Sequence, residues 1–191
     1  TDYNWRLEPE VGGPSRALAD IGSHWCDLVQ FVTGLRITAV FADLFRVHDQ
    51  RRKPSAQTET FKHSAEAGDA VDVGTEDGAT VLLRFENGAR GAVTVSQVSA
   101  GRKNHQGFEI DGGKKALAWL QERPNELWIG HRDRPNELLA RDASLLAESV
   151  APYTHYPGGH PDGYPDGFKN MFLRVYEHVR DHSGPASYPT F

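Results

Sequence analysis

Asn87 and Gly88 lie between two stretches, residues 79–86 and 89–99, in which apolar and polar residues alternate. Alternation with a period of two is typical of strands that have one buried face. An Asn-Gly pair between two such stretches is the strongest short signal for a β-hairpin, because its tight turn needs residues that tolerate positive φ. The sequence therefore predicts an antiparallel strand pair at the centre of the chain.

A helix is predicted upstream of this hairpin, over residues 17–33. Its apolar residues recur at spacings of three and four: Leu18, Ile21, Trp25, Leu28, Val29 and Val32. Ser15 is the predicted N-cap, and Gly34 is placed to end the helix in the left-handed conformation. The alternation that follows predicts a long strand over residues 36–48.

The remaining elements have weaker signals. Residues 49–70 show no apolar period and are predicted to form an exposed loop, with Arg51, Arg52 and Lys53 in solvent. Strands are predicted over residues 107–111, 114–121 and 126–129. A last helix is predicted over residues 166–182, with Phe168, Phe172 and Tyr176 on a core-facing stripe.

This order of elements indicates an α+β fold. We expect an open, largely antiparallel β-sheet with the helices packed on one face. A sheet covered on one side leaves apolar surface on the other, and such surface marks an interface. We therefore expect a homo-oligomer that forms through the sheet face.

Composition and charge exclude several classes of protein. The chain has 191 residues and a net charge of −5, and its one short basic cluster argues against nucleic acid as a partner. No apolar run reaches the roughly 18 residues of a membrane span, so no membrane partner is expected. One cysteine excludes an internal disulfide framework, and the absence of a signal-peptide pattern predicts a cytoplasmic location. Because the chain starts at Thr1 and its only methionine is Met171, we expect it to be part of a longer protein.

Asp20, Gly22 and His24 form the most informative group. On an α-helix, Asp20 and His24 lie at i and i+4 on the same face. A carboxylate one turn from an imidazole suits general acid/base chemistry. Glycine is a poor helix former, so Gly22 predicts a close approach to the backbone. Spacing alone favours a pair that only stabilises the helix, and a metal site in which Asp20 and His24 act with distant histidines is the less favoured alternative.

The residues around Asp20 and His24 favour the acid/base interpretation over the other two. The segment from Gly12 to Leu28 closely resembles the opening of the C-terminal domain of the Gfo/Idh/MocA oxidoreductase family, with its Asp-x-Gly-x-His-x-x-Asp pattern at Asp20, Gly22, His24 and Asp27. The segment from Asn87 to Gly91 resembles the central hairpin of that family. The run from Pro157 to Tyr164 resembles the lead into its last helix, so the resemblance extends from about Tyr3 to Val179.

The resemblance implies an enzyme that uses NAD or NADP to oxidise or reduce a hydroxyl or carbonyl group of a sugar or polyol. In it, His24 corresponds to the acid/base residue and Asp20 to its partner. The family's lysine from a Glu-Lys-Pro motif lies in an N-terminal Rossmann domain. This chain has neither that motif nor a Gly-x-Gly-x-x-Gly. Residues 1–191 are therefore expected to be the substrate-binding and oligomerisation domain alone, inactive and without bound cofactor when isolated.

Five further residues could bind substrate, and most of them could instead have a purely structural role. They are Arg16, Trp5, Lys103, His105 and His160, the last of which lies just before the last helix. In the alternative interpretation Arg16 is a solvated arginine and Trp5 is a staple for the N-terminal segment. Lys103 and His105 would then belong to an exposed turn. His131, His155, His178 and His182 are predicted to be surface residues. Two other functions stay open: a non-catalytic binding or oligomerisation module, and a metal-dependent sugar isomerase using Asp20, His24 and His160.

Overall fold

A computed structural model describes residues 3–54 and 68–181, together with residues 186 and 188. The chain divides into two compact units, Thr1–Arg102 and Lys103–Phe191. Each unit is described separately below. Among the described helices, none is both long enough and apolar enough to cross a lipid bilayer.

The first unit contains the predicted helix and the predicted hairpin. A 3₁₀ turn, Trp5–Leu7, and a short helix α1, Pro9–Gly12, precede a π-helical segment, Leu18–Gly22, that continues directly into helix α2, Ser23–Thr33. Gly34 ends α2 with a φ of 69°, as predicted. The strands are β1 (Ile37–Phe45), β2 (Gln50–Lys53), β3 (Asp69–Asp72), β4 (Gly78–Phe85) and β5 (Arg90–Ser96).

The core of this unit lies between α2 and one face of an antiparallel sheet with the strand order β1-β4-β5. Side chains of β4 alternate between the two faces: Ala79, Val81, Leu83 and Phe85 are buried, whereas Thr80, Leu82 and Arg84 are exposed. Val29 of α2 packs on the buried set. A helix on one face of an antiparallel sheet is the arrangement expected of the α+β class.

The hairpin between β4 and β5 has a different turn from the two-residue one that the Asn-Gly signal favours. Gly88 donates its backbone N–H to Phe85 O at 2.9 Å, and Phe85 donates to Ala89 O at 3.0 Å. Gly88 has a φ of 88°. This pattern is a three-residue loop, in which a turn is followed by a left-handed glycine. The side chain of Asn87 accepts the N–H of Ala89 at 3.0 Å.

Part of the predicted exposed loop is a second sheet. Strands β2 and β3 pair antiparallel, with Arg51 opposite Val71. The prediction of a solvated Arg51 is wrong, because its guanidinium is buried against Asp77. Residues 55–67 of the same predicted loop lie outside the described residues.

The second unit is built on a four-stranded antiparallel meander. Its strands are β6 (Gly107–Asp111), β7 (Lys115–Leu120), β8 (Glu126–His131) and β9 (Glu137–Ala140), in the order β6-β7-β8-β9. The first three confirm the predicted strands, and β9 was not predicted. Two 3₁₀ turns, Ala143–Leu145 and Ala151–Tyr153, lead to helix α3, Tyr164–Asp181.

The apolar stripe of α3 does not form the predicted core. Phe168, Phe172 and Tyr176 are exposed, and Tyr164 contacts Phe168 edge to face with ring centroids 5.1 Å apart. Helical periodicity reports that one face of a helix is apolar. It carries no information about which element covers that face.

Candidate active site

The backbone that carries Asp20 is π-helical. The N–H of Ser23 donates to Leu18 O, five residues back, and the Ser23 hydroxyl lies 2.8 Å from Ala19 O and 2.9 Å from Asp20 O. A π-helical turn widens the helix and shifts the hydrogen-bond register, and the hydroxyl compensates the carbonyl groups that the shift frees. Such turns occur frequently at functional sites. The predicted helix is therefore present, with a local irregularity at the motif.

Gly22 is buried at the end of the π-helical segment. A Cβ atom at this position would lie 3.0 Å from the Leu18 side chain and 3.7 Å from the Val95 side chain. The tight contact is with Leu18 of the same helix, whereas Val95 of strand β5 lies at ordinary van der Waals distance. A larger residue at position 22 would therefore need the Leu18 side chain to move.

The Asp20 carboxylate is held from outside its own helix. Its Oδ2 atom accepts a hydrogen bond from Gln97 Nε2 at 3.0 Å and lies 3.1 Å from Arg6 Nε. Gln97 directly follows β5, and Arg6 lies in the 3₁₀ turn before α1. In the part of the chain that the structure describes, no hydrogen bond joins Asp20 to His24. Asp20 and His24 therefore share one continuous helix, and the contacts of the carboxylate are with Arg6 and Gln97.

The His24 side chain is exposed at the start of α2. Within residues 3–54 and 68–181, no hydrogen bond or ion pair occupies its ring, so both ring nitrogens are accessible to a ligand. Cys26 lies two residues further on and is partly buried. Burial raises the pKa of its thiol, and the thiolate is the reactive form.

A carboxylate just before strand β4 caps the start of the motif helix. Oε1 of Glu76 accepts hydrogen bonds from Ser15 Oγ at 2.8 Å, from Arg16 N at 2.9 Å and from Leu18 N at 3.0 Å. A negative group at a helix N-terminus satisfies free N–H groups and complements the helix dipole. Ser15 donates its hydroxyl to Glu76, so the prediction that Ser15 caps the helix with its own side chain is wrong.

Glu76 ionises readily in this position. Burial raises the pKa of the carboxyl group, but the hydrogen bonds from Leu18, Ser15 and Arg16 outweigh burial. The pKa lies below its ordinary value as a result. The cap is consequently a carboxylate at neutral pH.

Arg16 belongs to a buried ion cluster. Its guanidinium pairs with Asp77 Oδ1, and Arg51 Nη2 lies 2.6 Å from the same oxygen. Arg16, Arg51 and Asp77 are 6%, 5% and 1% exposed. The alternative of a solvated arginine is wrong, since burial and an internal partner remove this side chain from water. The contact with substrate predicted for Arg16 stays a prediction.

Asp77 also binds backbone on its other oxygen. Oδ2 accepts the N–H groups of Val47 at 2.8 Å and of His48 at 3.0 Å. Burial raises the pKa of this carboxyl group, but the two backbone donors and the two guanidinium groups outweigh burial and lower the pKa. Asp77 thereby joins the motif helix, the end of β1 and strand β2.

Trp5 lies next to the Asp20 anchor. The Arg6 guanidinium carbon lies 4.5 Å from the centre of the Trp5 ring, and about half of Trp5 is exposed. A cation over an indole face is an attractive contact that orders both side chains. The geometry fits both the substrate role and the stapling role predicted for Trp5.

Lys103, His105 and His160 lie in the second unit. Lys103 and His105 are exposed, and Nδ1 of His105 lies 3.3 Å from the Glu122 carboxylate. That hydrogen bond, with others from the backbone of Lys103 and Asn104, lowers the pKa of Glu122. The carboxylate thus organises the turn that presents both residues.

His160 lies on a glycine-rich loop that Arg141 anchors. Arg141 donates to Tyr156 O at 3.2 Å and to His160 O, and its Nη1 lies 2.8 Å from the Asp162 carboxylate. Nε of Arg141 donates to Asn125 Oδ1 at 2.7 Å. The His160 ring itself is exposed. The loop backbone is therefore fixed while the imidazole stays accessible.

The other histidines divide between surface and interior. The His131 side chain is 3% exposed, and its Nε2 lies 3.2 Å from the Glu137 carboxylate, so its prediction as a surface residue is wrong. His155 is partly buried and lies 2.8 Å from Asn170 Oδ1. His178 meets the Tyr188 ring edge to face. His182 lies outside the described residues.

The chain does not present a dinucleotide cradle in its described part. The paired strands there are all antiparallel, whereas a Rossmann fold requires parallel strands joined by crossover helices. No three His, Cys, Asp or Glu side chains of the described residues are grouped as metal ligands.

The sequence analysis did not identify Gln97, Glu76 and Asp77 as residues of the site. The hairpin between β4 and β5 is the one feature that could have indicated two of them. The hairpin register pairs Gly78 with Ser96, so residues just before β4 and just after β5 are neighbours. Asp77 O accordingly accepts the N–H of Gln97 at 2.9 Å. Polar residues at these two strand ends are therefore candidates for one polar cluster.

A protein-family model of the GFO/IDH/MocA C-terminal domain matches residues 1–118. A levoglucosan dehydrogenase from Pseudarthrobacter phenanthrenivorans is 31% identical over 129 residues, which are 66% of this chain and 32% of that protein. The chain spans about a third of the length of the curated relatives that it matches.

Solved structures agree over nearly the whole chain. An oxidoreductase domain protein from Kribbella flavida has 32% identity and a TM-score of 0.79, covering 98% of this chain and 48% of that one. An inositol dehydrogenase homologue from Azotobacter vinelandii, solved with NAD⁺, has 25% identity and a TM-score of 0.73, covering 97% and 44%.

Proposed function

Because the chain belongs to the GFO/IDH/MocA family of oxidoreductases, we propose that it is the substrate-binding part of an NAD- or NADP-dependent dehydrogenase. The substrate proposed is a sugar or polyol, oxidised or reduced at a hydroxyl or carbonyl group. Relatives named for levoglucosan and inositol support this substrate class. The nicotinamide cofactor is assigned to a Rossmann domain outside residues 1–191, because the described strands offer no cradle for it.

One observation carries the assignment of chemistry to this chain. An exposed imidazole, His24, follows an anchored carboxylate, Asp20, on one continuous helix. His24 is proposed to accept the proton of the substrate hydroxyl group during oxidation and to return it during reduction. Asp20 is proposed as the partner that holds the local geometry of the pair.

The rigidity of the site supports this role. Asp20 is fixed by Arg6 and Gln97, and the helix start is fixed by Glu76. A catalytic pair gains from being held in one geometry before substrate arrives. Trp5 remains a candidate for contact with substrate in the first unit, and Lys103, His105 and His160 stay separate predictions in the second. The guanidinium of Arg16 is occupied by Asp77, so its contact with substrate is only a prediction.

Copies of the chain are also proposed to associate through the outer face of the first sheet. Phe41 and Leu82 are paired across β1 and β4 on that face, and they are 70% and 54% exposed. Adjacent exposed apolar side chains on a sheet face favour an interface.

The test uses the full-length protein that contains this chain. With a panel of sugars and polyols, we expect reduction of NAD⁺ or NADP⁺ that can be followed by absorbance. We expect no saturable NAD⁺ binding to residues 1–191 alone at micromolar concentration. A full-length protein that is folded and transfers no hydride with any member of the panel would contradict the proposal, and would favour a non-catalytic binding module.

A further inference from the structure

Gln97 and Arg6 both bind one oxygen of the Asp20 carboxylate. Gln97 Nε2 donates to Oδ2 at 3.0 Å, and Arg6 Nε lies 3.1 Å from the same atom. Among the described residues, none donates a hydrogen bond to Oδ1. Both contacts that orient the carboxylate are thus made to the same oxygen atom.

The two donors differ in charge and in origin. Arg6 lies before the motif helix and brings a positive charge, which opposes the negative charge of Asp20. Gln97 is neutral, so its amide orients the carboxylate without neutralising it. The Gln97 amide therefore contributes to the orientation of the carboxylate without contributing a charge.

The position of Gln97 is set by the sheet. Its N–H donates to Asp77 O at 2.9 Å, directly beyond the register pair Gly78 and Ser96. Asp77 is itself fixed by Arg16, which lies four residues before Asp20. The amide of Gln97 is therefore tied to the sheet and reaches Asp20 across 77 residues of sequence.

We propose that Gln97 is a positioning residue for the Asp20–His24 pair, acting by holding the Asp20 carboxylate in one orientation relative to the sheet. This inference rests on the proposed acid/base role of His24. It adds a residue outside the motif and defines its action as orientation of the acidic partner. Gln97 is not proposed to touch substrate.

The test compares two substitutions in the full-length enzyme. Gln97→Leu removes the donor, and we expect kcat to fall about 10-fold to 100-fold with KM changed little, as for loss of one hydrogen bond to a charged group. Gln97→Glu places a second carboxyl group beside Asp20. Two neighbouring carboxyl groups disfavour each other's ionisation. We therefore expect the acid limb of the kcat/KM profile to shift to higher pH, by about one pH unit or more.

Gln30→Leu is the matched control. The Gln30 side chain accepts the N–H of Ile37 at 2.9 Å, so this substitution removes one glutamine hydrogen bond within the same unit but away from Asp20. We expect a lower thermal midpoint with kcat and the pH profile retained. If Gln97→Leu and Gln97→Glu behave like Gln30→Leu, the positioning role is overturned.

Two further measurements distinguish a failure of the proposed function from a failure of the role proposed for Gln97. If His24→Ala retains full activity, the proposed function itself fails; if only the Gln97 variants retain it, this inference alone fails. Should the Gln97 variants not fold, the wild-type enzyme labelled with ¹⁵N-glutamine replaces them. The Gln97 side-chain amide signal should shift with pH as Asp20 titrates, and this dependence should disappear in Asp20→Asn. An identical titration in both proteins would overturn the inference.

Discussion

Arg16 and Asp77 form an ion pair inside the first unit, and Arg51 binds the same carboxylate oxygen. This places one buried acid between two buried cations, beside the start of the motif helix. Removing one member of a buried pair leaves an uncompensated charge, which costs far more than the loss of an exposed pair.

Asp77→Asn is therefore expected to destabilise the protein by about 3–5 kcal/mol, measured by urea unfolding. Glu86→Gln is the matched control, because Glu86 pairs with Arg36 at 3.1 Å on the surface. Loss of that exposed pair is expected to cost about 1 kcal/mol or less. Equal effects of the two substitutions would show that the buried cluster is not a stabilising centre.

Stability is expected to decrease in acid through Glu76 and Asp77. Both carboxyl groups have pKa values lowered by folding from ordinary values of 4.5 and 3.8. Their contribution is present above those ordinary values and is lost as the pH falls through the lowered ones. Unfolding free energies between pH 7 and pH 3 measure this, and Glu76→Gln should flatten the curve. A curve of Glu76→Gln that is parallel to wild type would contradict the assignment.

Arg141→Ala is expected to loosen the loop that carries His160. Arg141 binds two backbone carbonyl groups of that loop and the Asp162 carboxylate. Hydrogen exchange at the amides of residues 160 and 162 should accelerate about 10-fold or more. Arg123→Ala, which removes an exposed partner of Glu126, is the control and should leave those amides unchanged. Unchanged exchange in Arg141→Ala would mean that other contacts hold the loop.

Phe41→Asp is expected to shift the protein toward smaller assemblies. Phe41 is paired with Leu82 on the exposed sheet face, so a charge there disfavours burial of that face against a second copy. Light scattering at tens of micromolar protein measures the change. Leu145→Asp, at another exposed apolar residue, should have no effect. A wild-type protein that is monomeric under these conditions would refute association through this face.

Local sequence patterns were sufficient for most of the strands and both long helices. The alternation around Asn87 and Gly88 predicts β4 and β5 because a hairpin needs only adjacent residues. The pattern around residues 50–53 has no such period, and the burial of Arg51 depends on Asp77, 26 positions away. Contacts of that range are set by the packing of the whole unit, which a local pattern does not record.

The candidate site shows the same division. Asp20 and His24 lie in one motif and were found from it. Their surroundings were not, because Arg6, Gln97 and Glu76 come from three separate segments that folding brings to one helix. Arg6 and Gln97 are the residues that bind the Asp20 carboxylate, and neither belongs to the motif.

The acid/base role of His24 is tested most directly by chemical rescue of His24→Ala in the full-length enzyme. Because proton transfer by a positioned side chain contributes about 10²–10⁴-fold, we expect kcat to fall by that factor. Added imidazole should restore part of the rate in a saturable manner, while leaving wild-type activity unchanged. A His24→Ala enzyme that turns over substrate at the wild-type rate, or whose lost activity imidazole does not restore at all, would contradict the assignment of His24 as the acid/base group.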